Sequence, residues 1–506
     1  MAQLSDLPSV MMDAGYERDG LARIGAIMPV GRAVDVHSVE ELTKEPTKAN
    51  ILSRLWYVCR PVTRAQADLA LGTALVETLL KEGLLELVSQ AQDQVHNESF
   101  LRATCSAVPN GKLLFLRDFE AWATGTSLPS DHVLGVGLAT SMLSDFTPRT
   151  PAALTLDIGT GQGFQATKAS SHSTKVIATD INKRALRLAA ISLRINAITN
   201  IELREGSLLE PVAGMEGKFN LIVSNPPFVI APPHDLVAIG GRWTGDSFVK
   251  TLLTTIPPFL AEGGVATMLC NWHHPTIDKW QERIGSWFAG LGVDAFIIKL
   301  KTDSAKDYAQ SWLRETGSSQ GPDGMRESMS HLNTWLEHYK TLDIGAVSLG
   351  VVYLRKRTSQ TPPNWVRLEQ VSPEAHTPDG AVQIMRIFEA QTLIAACKTP
   401  EDILSHTLIV SNACEVGQRM RPPAPDASPR AWQPFQSLLR QTQGFEFPVA
   451  LEPLPLEILL RLDGKRKARD IIAQFAKELN ADPMVAERET APFIIRLLKA
   501  GHIQLC

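Results

Sequence analysis

The chain has 506 residues, enough for about three domains of ordinary size, with the 44% apolar and 21% charged content of a globular protein. No run approaches the ~18 apolar residues of a membrane span. A net charge of −4 speaks against a protein that holds nucleic acid over a wide basic surface, and six scattered cysteines, none in a CxxC pair, suit reduced thiols and give no zinc site.

The opening residues lack a basic stretch followed by an apolar core, so no secretory signal is read and a cytoplasmic location is expected. Residues 1–130 are expected to form a helical, winged-helix-like domain. Within them ANILSRLWYVCRPVTRAQADLALG reads as helix, short turn, helix, and LLKEGLLEL, Leu79 to Leu87, closes a helix at Gly83 and turns into a β-type run. The next segment, DHVLGVG from Asp131 to Gly137, carries two glycines. Gly135 and Gly137 suit a loop closing over a ligand or a plain connecting turn.

From Leu154 onward short β-type runs alternate with helical patterns. LTLDI precedes a Gly-rich turn. KVIATD precedes the helical NKRALRLAAISLRIN. NIELR, FNLIVS, GVATMLC, AFIIKL and AVSLGVVYLR follow, with helical stretches between several of them, one of them around Tyr308–Tyr339. Strands alternating with helices predict βαβ units and a mostly parallel sheet covered on both faces. Ligands of such sheets bind at the strand C-terminal ends.

Three motifs fall at those ends. DIGTGQG places Asp157, Gly159, Gly161 and Gly163 between a strand and a helix, where the missing Cβ atoms permit a tight turn and close backbone approach by a ligand. Asp180 ends the next strand, about 20 residues on, where a carboxylate suits ribose hydroxyls or caps the helix that follows. This pair describes a nucleoside-containing cofactor, either a dinucleotide or S-adenosylmethionine. The third motif, VSNPPF, ends the fourth strand. Asn225 offers a carboxamide, Pro226 and Pro227 fix two φ angles and carry no N–H, and Phe228 supplies a flat face. Such a clamp suits a planar group bearing an NH2, whose hydrogens it accepts.

DIGTGQG, Asp180 and VSNPPF together resemble the class I S-adenosylmethionine-dependent methyltransferases that modify planar nitrogens. The branch they are most similar to holds the HemK-type release-factor glutamine methyltransferases and the ribosomal-RNA guanine-N2 methyltransferases. The resemblance runs from about Asp131 to Arg357 and implies a Rossmann-like α/β fold with a seven-stranded sheet. It implies that Asp157 and the three glycines hold the methionine end of the cofactor, that Asp180 holds the ribose, and that Asn225, Pro226, Pro227 and Phe228 bind the target nitrogen. Two departures stand out. Ser207 occupies the place where such enzymes often carry an acid beside the adenine, which leaves adenine to Ser207 and backbone amides. The tetrad ends in Phe228 rather than Tyr, which keeps stacking and loses a hydroxyl.

Beyond the tetrad, GGRWTGDSF holds Arg242, Trp243 and Asp246 in a substrate loop or at a helix start, and CNWHH puts Asn271 and Trp272 in reach of the pocket. His273 and His274 are neighbours and do not share a face, so they make a poor metal pair. The segment 358–450 has no assigned fold, and GQRMRPPAPDASPRAWQP within it reads as linker or surface loop. Residues 451–506 carry LLKAGHIQL, a near repeat of LLKEGLLEL, after another helix–turn–helix pattern, and are expected to form a second winged-helix-like module. The basic Lys465-Arg466-Lys467 there suits contact with phosphate or acidic peptide, or a solvated helix start. The expected activity is N-methylation of a planar amide or amino nitrogen, foremost in a protein or peptide delivered by the end modules. A nucleobase amino group in RNA or DNA and a small amide or guanidine metabolite are the alternatives. No metal and no membrane partner is expected, and the sequence leaves the oligomeric state open.

Overall fold

The fold is that of a computed structural model, which describes residues 3–23, 35–88, 99–126, 128–233, 243–315, 322–357, 363–371, 376–377, 380–423 and 432–506. At its centre lies a sheet of eight strands: β1 (Ala152–Ile158), β2 (Ser173–Asp180), β3 (Ile201–Glu205), β4 (Phe219–Ser224), β5 (Leu260–His274), β6 (Asp294–Ser304), β7 (Ala346–Arg355) and β8 (Val366–Gln370). Their order across the sheet is β3-β2-β1-β4-β5-β7-β6-β8. Strands β1 to β5 pair in parallel. β7 runs antiparallel to both β5 and β6, and β8 returns parallel to β6.

The expected α/β sheet is present, with an eighth strand added at one edge. That strand comes from the segment whose fold the sequence left unassigned. VRLEQ is too short to announce itself by periodicity, and its strand state comes from pairing with β6, Ala295 opposite Val366 through Lys299 opposite Gln370.

Helices cover both faces: α1 (Leu138–Phe146), α2 (Phe164–Ser170), α3 (Lys183–Ile195), α4 (Ser247–Thr255), α5 (Trp280–Ser286), α6 (Ala305–Glu315), α7 (Pro322–Thr341) and α8 (Gly380–Ala396). Alternation along β4 and β5 sorts their side chains. Ile222, Met268, Cys270 and Trp272 join a core with α4 and α5, whereas Val223 and Leu269 join one with α1 and α8. No helix among the described residues is long and apolar enough to cross a membrane.

The N-terminal region docks on α3. Asn182 caps this helix, its side chain accepting from Arg184 and Ala185 N–H. Ala185, Leu188, Ile191 and Ile195 project from the helix into the same core as Leu52, Trp56 and Leu79. Ser192 Oγ and Asn196 Oδ1 accept the Leu116 and Leu114 N–H groups at 3.0 and 2.9 Å. Within that region the helices Lys48–Trp56, Arg64–Leu71 and Thr73–Lys81 stand against a three-stranded sheet ordered Val62–Thr63, Phe100–Ala103, Leu85–Val88.

The C-terminal region repeats the plan with one exchange. Pro453–Arg461, Ala468–Glu478 and Pro483–Lys499 are the helices, and Asp463–Lys467 and Ile503–Leu505 the outer strands. The middle strand, Thr407–Val410, comes from upstream in the chain. Lys465, Arg466 and Lys467 therefore lie in a strand that runs straight into a helix start, with Lys467 as the N-cap residue of Ala468–Glu478. Asp463 accepts from the Lys465 and Arg466 N–H groups and pairs with the Arg466 guanidinium at 2.8 Å.

Buried Gln383 on α8 ties this region down. Its Nε2 donates to the Phe445 and Ala500 carbonyls at 3.0 and 2.9 Å, and its Oε1 accepts Phe445 N–H at 2.8 Å. A buried amide so fully paired holds its neighbours in one arrangement.

Candidate active site

The strand β1 ends at Ile158, and the chain turns through Gly159, Gly161 and Gly163 at φ of +70°, +56° and +87°. A Cβ built on Gly159 or Gly161 would meet nothing within 4 Å, so the left-handed backbone is what requires glycine there, and the space beside the turn is open. A Cβ on Gly163 would come within 3.3 Å of Ala189 Cβ, which marks close packing of the turn against α3.

Two carboxylates hold this turn. Asp157 is 1% exposed. Its Oδ2 accepts the Thr160 hydroxyl at 2.6 Å and Ala166 N–H at 2.9 Å, while Oδ1 is buried without a partner. Burial pushes its carboxyl up to about 7, against the pull of those two donors. Asp180 Oδ2 accepts Gly161 N–H at 2.8 Å and Oδ1 accepts Asn182 N–H at 2.8 Å. Its pKa is also raised, again by burial. Asn182, not Asp180, caps α3. Gly206 N–H donates to the Asp180 carbonyl at 3.0 Å, which brings half-buried Ser207 to the end of β2.

The tetrad leaves β4 beside this turn. Ser224 anchors its start, its hydroxyl donating to the Ile158 carbonyl at 2.8 Å. Asn225 Nδ2 donates to Thr140 Oγ1 at 3.1 Å, and Asn225 Oδ1 is buried without a partner. Pro226 is buried, and Phe228 packs against the cores on both faces of the sheet. Thr140 lies on α1, and its carbonyl accepts Gln165 Nε2 at 2.7 Å, so α1 is bound both to the tetrad and to the helix behind the glycines. Sequence reasoning stopped at Gly137, three residues short of Thr140. Only the position of a hydroxyl soon after a Gly-rich loop hinted at it.

The loop before α1 is tied down in its first half, while Leu134, Gly137 and Leu138 stay exposed. Val133 N–H donates to Asp118 Oδ2 at 2.9 Å, Asn182 Nδ2 donates to the Asp131 carbonyl at 2.8 Å, and a Cβ on Gly135 would lie 2.5 Å from Arg117 Cδ. Gly135 thus makes room for Arg117.

The further candidates divide. Arg242 lies outside the described residues. Trp243 is 42% exposed, edge-on to Phe248 at 5.1 Å. Asp246 is buried, bound to Arg283 at 2.9 and 2.6 Å and accepting His273 N–H, which makes it a strut between α4, α5 and β5. Trp272 is fully buried, its Nε1 on the Trp280 carbonyl, and belongs to the core, not the pocket. Asn271 is buried at the end of β5, its Nδ2 on Tyr308 Oη at 2.7 Å. His274 bonds Ser348 and Thr276 while His273 faces Asp246, so the two rings part.

Residues 135–287 match the family model described as Methyltransferase small domain. A release factor glutamine methyltransferase of Aliivibrio fischeri is 38% identical over 87 residues, 17% of this chain and 30% of that protein. Its counterpart in Deinococcus radiodurans is 45% identical over 76 residues, 15% of this chain and 26% of that protein. A ribosomal RNA small subunit methyltransferase C of Salmonella arizonae is 30% identical over 132 residues, 26% of this chain and 34% of that protein. The chain thus spans about a quarter to a third of the length of these relatives. The central unit is a methyltransferase domain of Rossmann-like architecture whose cofactor is S-adenosylmethionine. The residues present fit that cofactor: Asp157 Oδ1 is an orphaned buried acceptor, and the space beside Gly159 and Gly161 that a Cβ would enter is open.

Proposed function

We propose that the protein is an N-methyltransferase acting on a planar amide or amino nitrogen, with a carboxamide in a protein or peptide as the favoured acceptor. The observation that carries this reading is Asn225. Its amino group is committed to Thr140 while its buried carbonyl oxygen has no partner. An unpaired buried acceptor costs about 1–3 kcal/mol, so one kept at the end of a strand beside a cofactor turn is explained by a donor that arrives with the substrate.

Asp157 and the backbone of Gly159, Gly161 and Gly163 would hold the methionine end of the cofactor. Asp180, whose oxygens each keep a lone pair beyond their backbone bonds, would hold the ribose, and Ser207 would face the adenine. When bound, S-adenosylmethionine supplies a methyl carbon already electrophilic on a sulfonium. Asn225 Oδ1 accepts one hydrogen of the target NH2. Pro226 and Pro227 have no N–H with which to occupy neighbouring carbonyls, and one of these takes the second hydrogen. Phe228 stacks on the substrate plane. With both hydrogens held, the nitrogen lone pair is directed away from the clamp, and the acceptors bind more strongly as the nitrogen gains positive charge.

A nucleobase amino group is the second reading, favoured by the similarity to an RNA methyltransferase over 132 residues. The net charge of −4 weighs against it. Incubating the protein with labelled cofactor and extract from a methyltransferase-deleted cell, then splitting the product by protease and by nuclease, decides between them. Label released by protease supports the protein acceptor. Label released by nuclease transfers the assignment to nucleic acid, and no label in any fraction removes the reading.

A further inference from the structure

The chain beyond the tetrad is held by two helices that lie outside the methyltransferase match, which ends at residue 287. Helices α6 and α7 are inserted between β6 and β7. Each sends one tyrosine to the same residue. Ile230 N–H donates to Tyr308 Oη at 3.1 Å, and Tyr339 O–H donates to the Ile230 carbonyl at 2.6 Å. Tyr308 Oη also accepts Asn271 Nδ2 from the end of β5. The three side chains and Ile230 are buried, and Ile230 packs with Tyr308, Tyr339 and Val347.

The need for such a device follows from the sequence. Past Ser224 the chain has left the sheet, Pro226 and Pro227 bring no N–H, and Ile230 is buried. Its two backbone groups must be paired, and no strand is there to pair them. Two phenols from separate helices do so. The backbone of Asn225–Phe228 therefore runs between two anchors, Ser224 on the Ile158 carbonyl and Ile230 between the tyrosines, while Thr140 and the two cores hold the Asn225 and Phe228 side chains.

We infer that Tyr308 and Tyr339 are positioning residues for the tetrad: through Ile230 they set where Asn225 Oδ1 and the Phe228 ring meet the target nitrogen. The inference rests on the methyltransferase reading above. A displacement of about 1 Å in a positioned group can cost about 10²-fold in rate, so a loosened anchor is felt at Asn225 with no direct contact to substrate.

The test uses Tyr308→Phe and Tyr339→Phe in the full chain, which keep both rings and remove only the hydroxyls. The readouts are initial rate of label transfer to the responsive extract fraction, affinity for S-adenosylmethionine, and amide hydrogen exchange of the peptide covering 223–231. Each variant is expected to lower the saturated rate about tenfold with cofactor affinity unchanged, and to speed exchange in that peptide. Placed on Asn225→Ala, Tyr308→Phe should lower the residual rate much less than it does in the wild type, because the anchor acts through Asn225. Wild-type rates in both variants, or equal losses in both backgrounds, would reduce the tyrosines to core packing. If the wild-type chain transfers no label at all, the methyltransferase reading fails on its own. The exchange arm then still decides the anchor: unchanged exchange at 223–231 overturns it and faster exchange upholds it.

Discussion

Thr140 Oγ1 accepts Asn225 Nδ2 at 3.1 Å across 85 residues of sequence, and the Asn225 carbonyl oxygen is the end of the amide left buried without a partner. A hydroxyl can accept or donate, and here it takes the amino end. Thr140→Val keeps the shape and removes the acceptor. Turnover should fall, though less than on losing Asn225 itself, because the amide becomes free to rotate. Thr140→Ser should restore it. Equal rates for Val and Ser would show that the hydroxyl does not orient the amide.

Asn225→Ala removes the acceptor while Pro226, Pro227 and Phe228 still shape the turn. Turnover should drop about 10²–10³-fold, the typical loss when one preorganised transition-state partner is removed. Cofactor affinity should hardly change, since the cofactor contacts are proposed to lie with Asp157, Asp180 and the glycines. Asn225→Asp keeps an oxygen, adds a charge and loses the donors to Thr140. Partial activity in Asp with none in Ala supports the acceptor role, and a wild-type rate in Ala at saturating substrate reduces the tetrad to a turn.

Local chemistry makes the centre of this protein legible in its sequence. Three glycines after an apolar strand, an acid about 20 residues on, and an Asn-Pro-Pro-Phe at a strand end state their geometry within a few residues, and the register that sets Ile158 beside both Thr179 and Ser224 brings Gly159, Asp180 and Asn225 to one sheet edge. What stayed hidden is tertiary. Thr140 and Tyr308 reach their partners over 85 and 78 residues, and no short-range pattern encodes such a pair. Trp272 lies in the core and not the pocket because the parity of a strand end decides between them, and parity is set by register with β4. Asp246 was read through its place before a helix, but its carboxylate is taken by Arg283, another distant partner. The strand state of Lys465–Lys467 depends on Thr407–Val410, more than fifty residues upstream.

Asp180→Ala should weaken S-adenosylmethionine binding by roughly 1.5–3 kcal/mol, the range for a hydrogen bond to a charged group. Part of that loss is indirect, because Asp180 also holds Gly161 N–H and so the glycine turn. Asp180→Asn, which retains an acceptor for Gly161, should lose less than Ala. Calorimetric titration checks both, and unchanged affinity in a folded Ala variant takes Asp180 out of the site.

The C-terminal region separates delivery from bracing. Deleting Leu451–Cys506 strips both outer strands from Thr407–Val410 and leaves Gln383 Nε2 without the Ala500 carbonyl. The deletion should therefore lower thermal stability by itself. A delivery role is better tested by Lys465→Glu with Lys467→Glu, at exposed strand positions. If the module presents a basic face to an acidic peptide or to phosphate, this pair should raise the apparent KM with cofactor affinity and melting temperature unchanged. An unchanged KM assigns the region to bracing.

Asp157 provides a pH test that needs no substrate. Burial lifts its carboxyl from the ordinary value near 3.8 to about 7. The folded state thus favours the protonated form more than the unfolded chain does. The contribution of this group to stability is fully present below about 4 and is lost as pH rises through about 7. Asp157→Asn removes the titration and keeps an oxygen for the Thr160 hydroxyl and Ala166 N–H. Groups not coupled to Asp157, among them His132 and His273, whose burial holds them below the ordinary imidazole value, are common to both proteins and cancel in the difference, whereas Asp180, whose charge acts on Asp157, does not. Between pH 5 and about 7 the wild type should therefore lose melting temperature steadily relative to Asp157→Asn, and the difference should level off above about 7. A difference that stays flat over that range would mean that Asp157 is already ionised at pH 5, and that its unpartnered Oδ1 is satisfied by water in the cofactor-free protein.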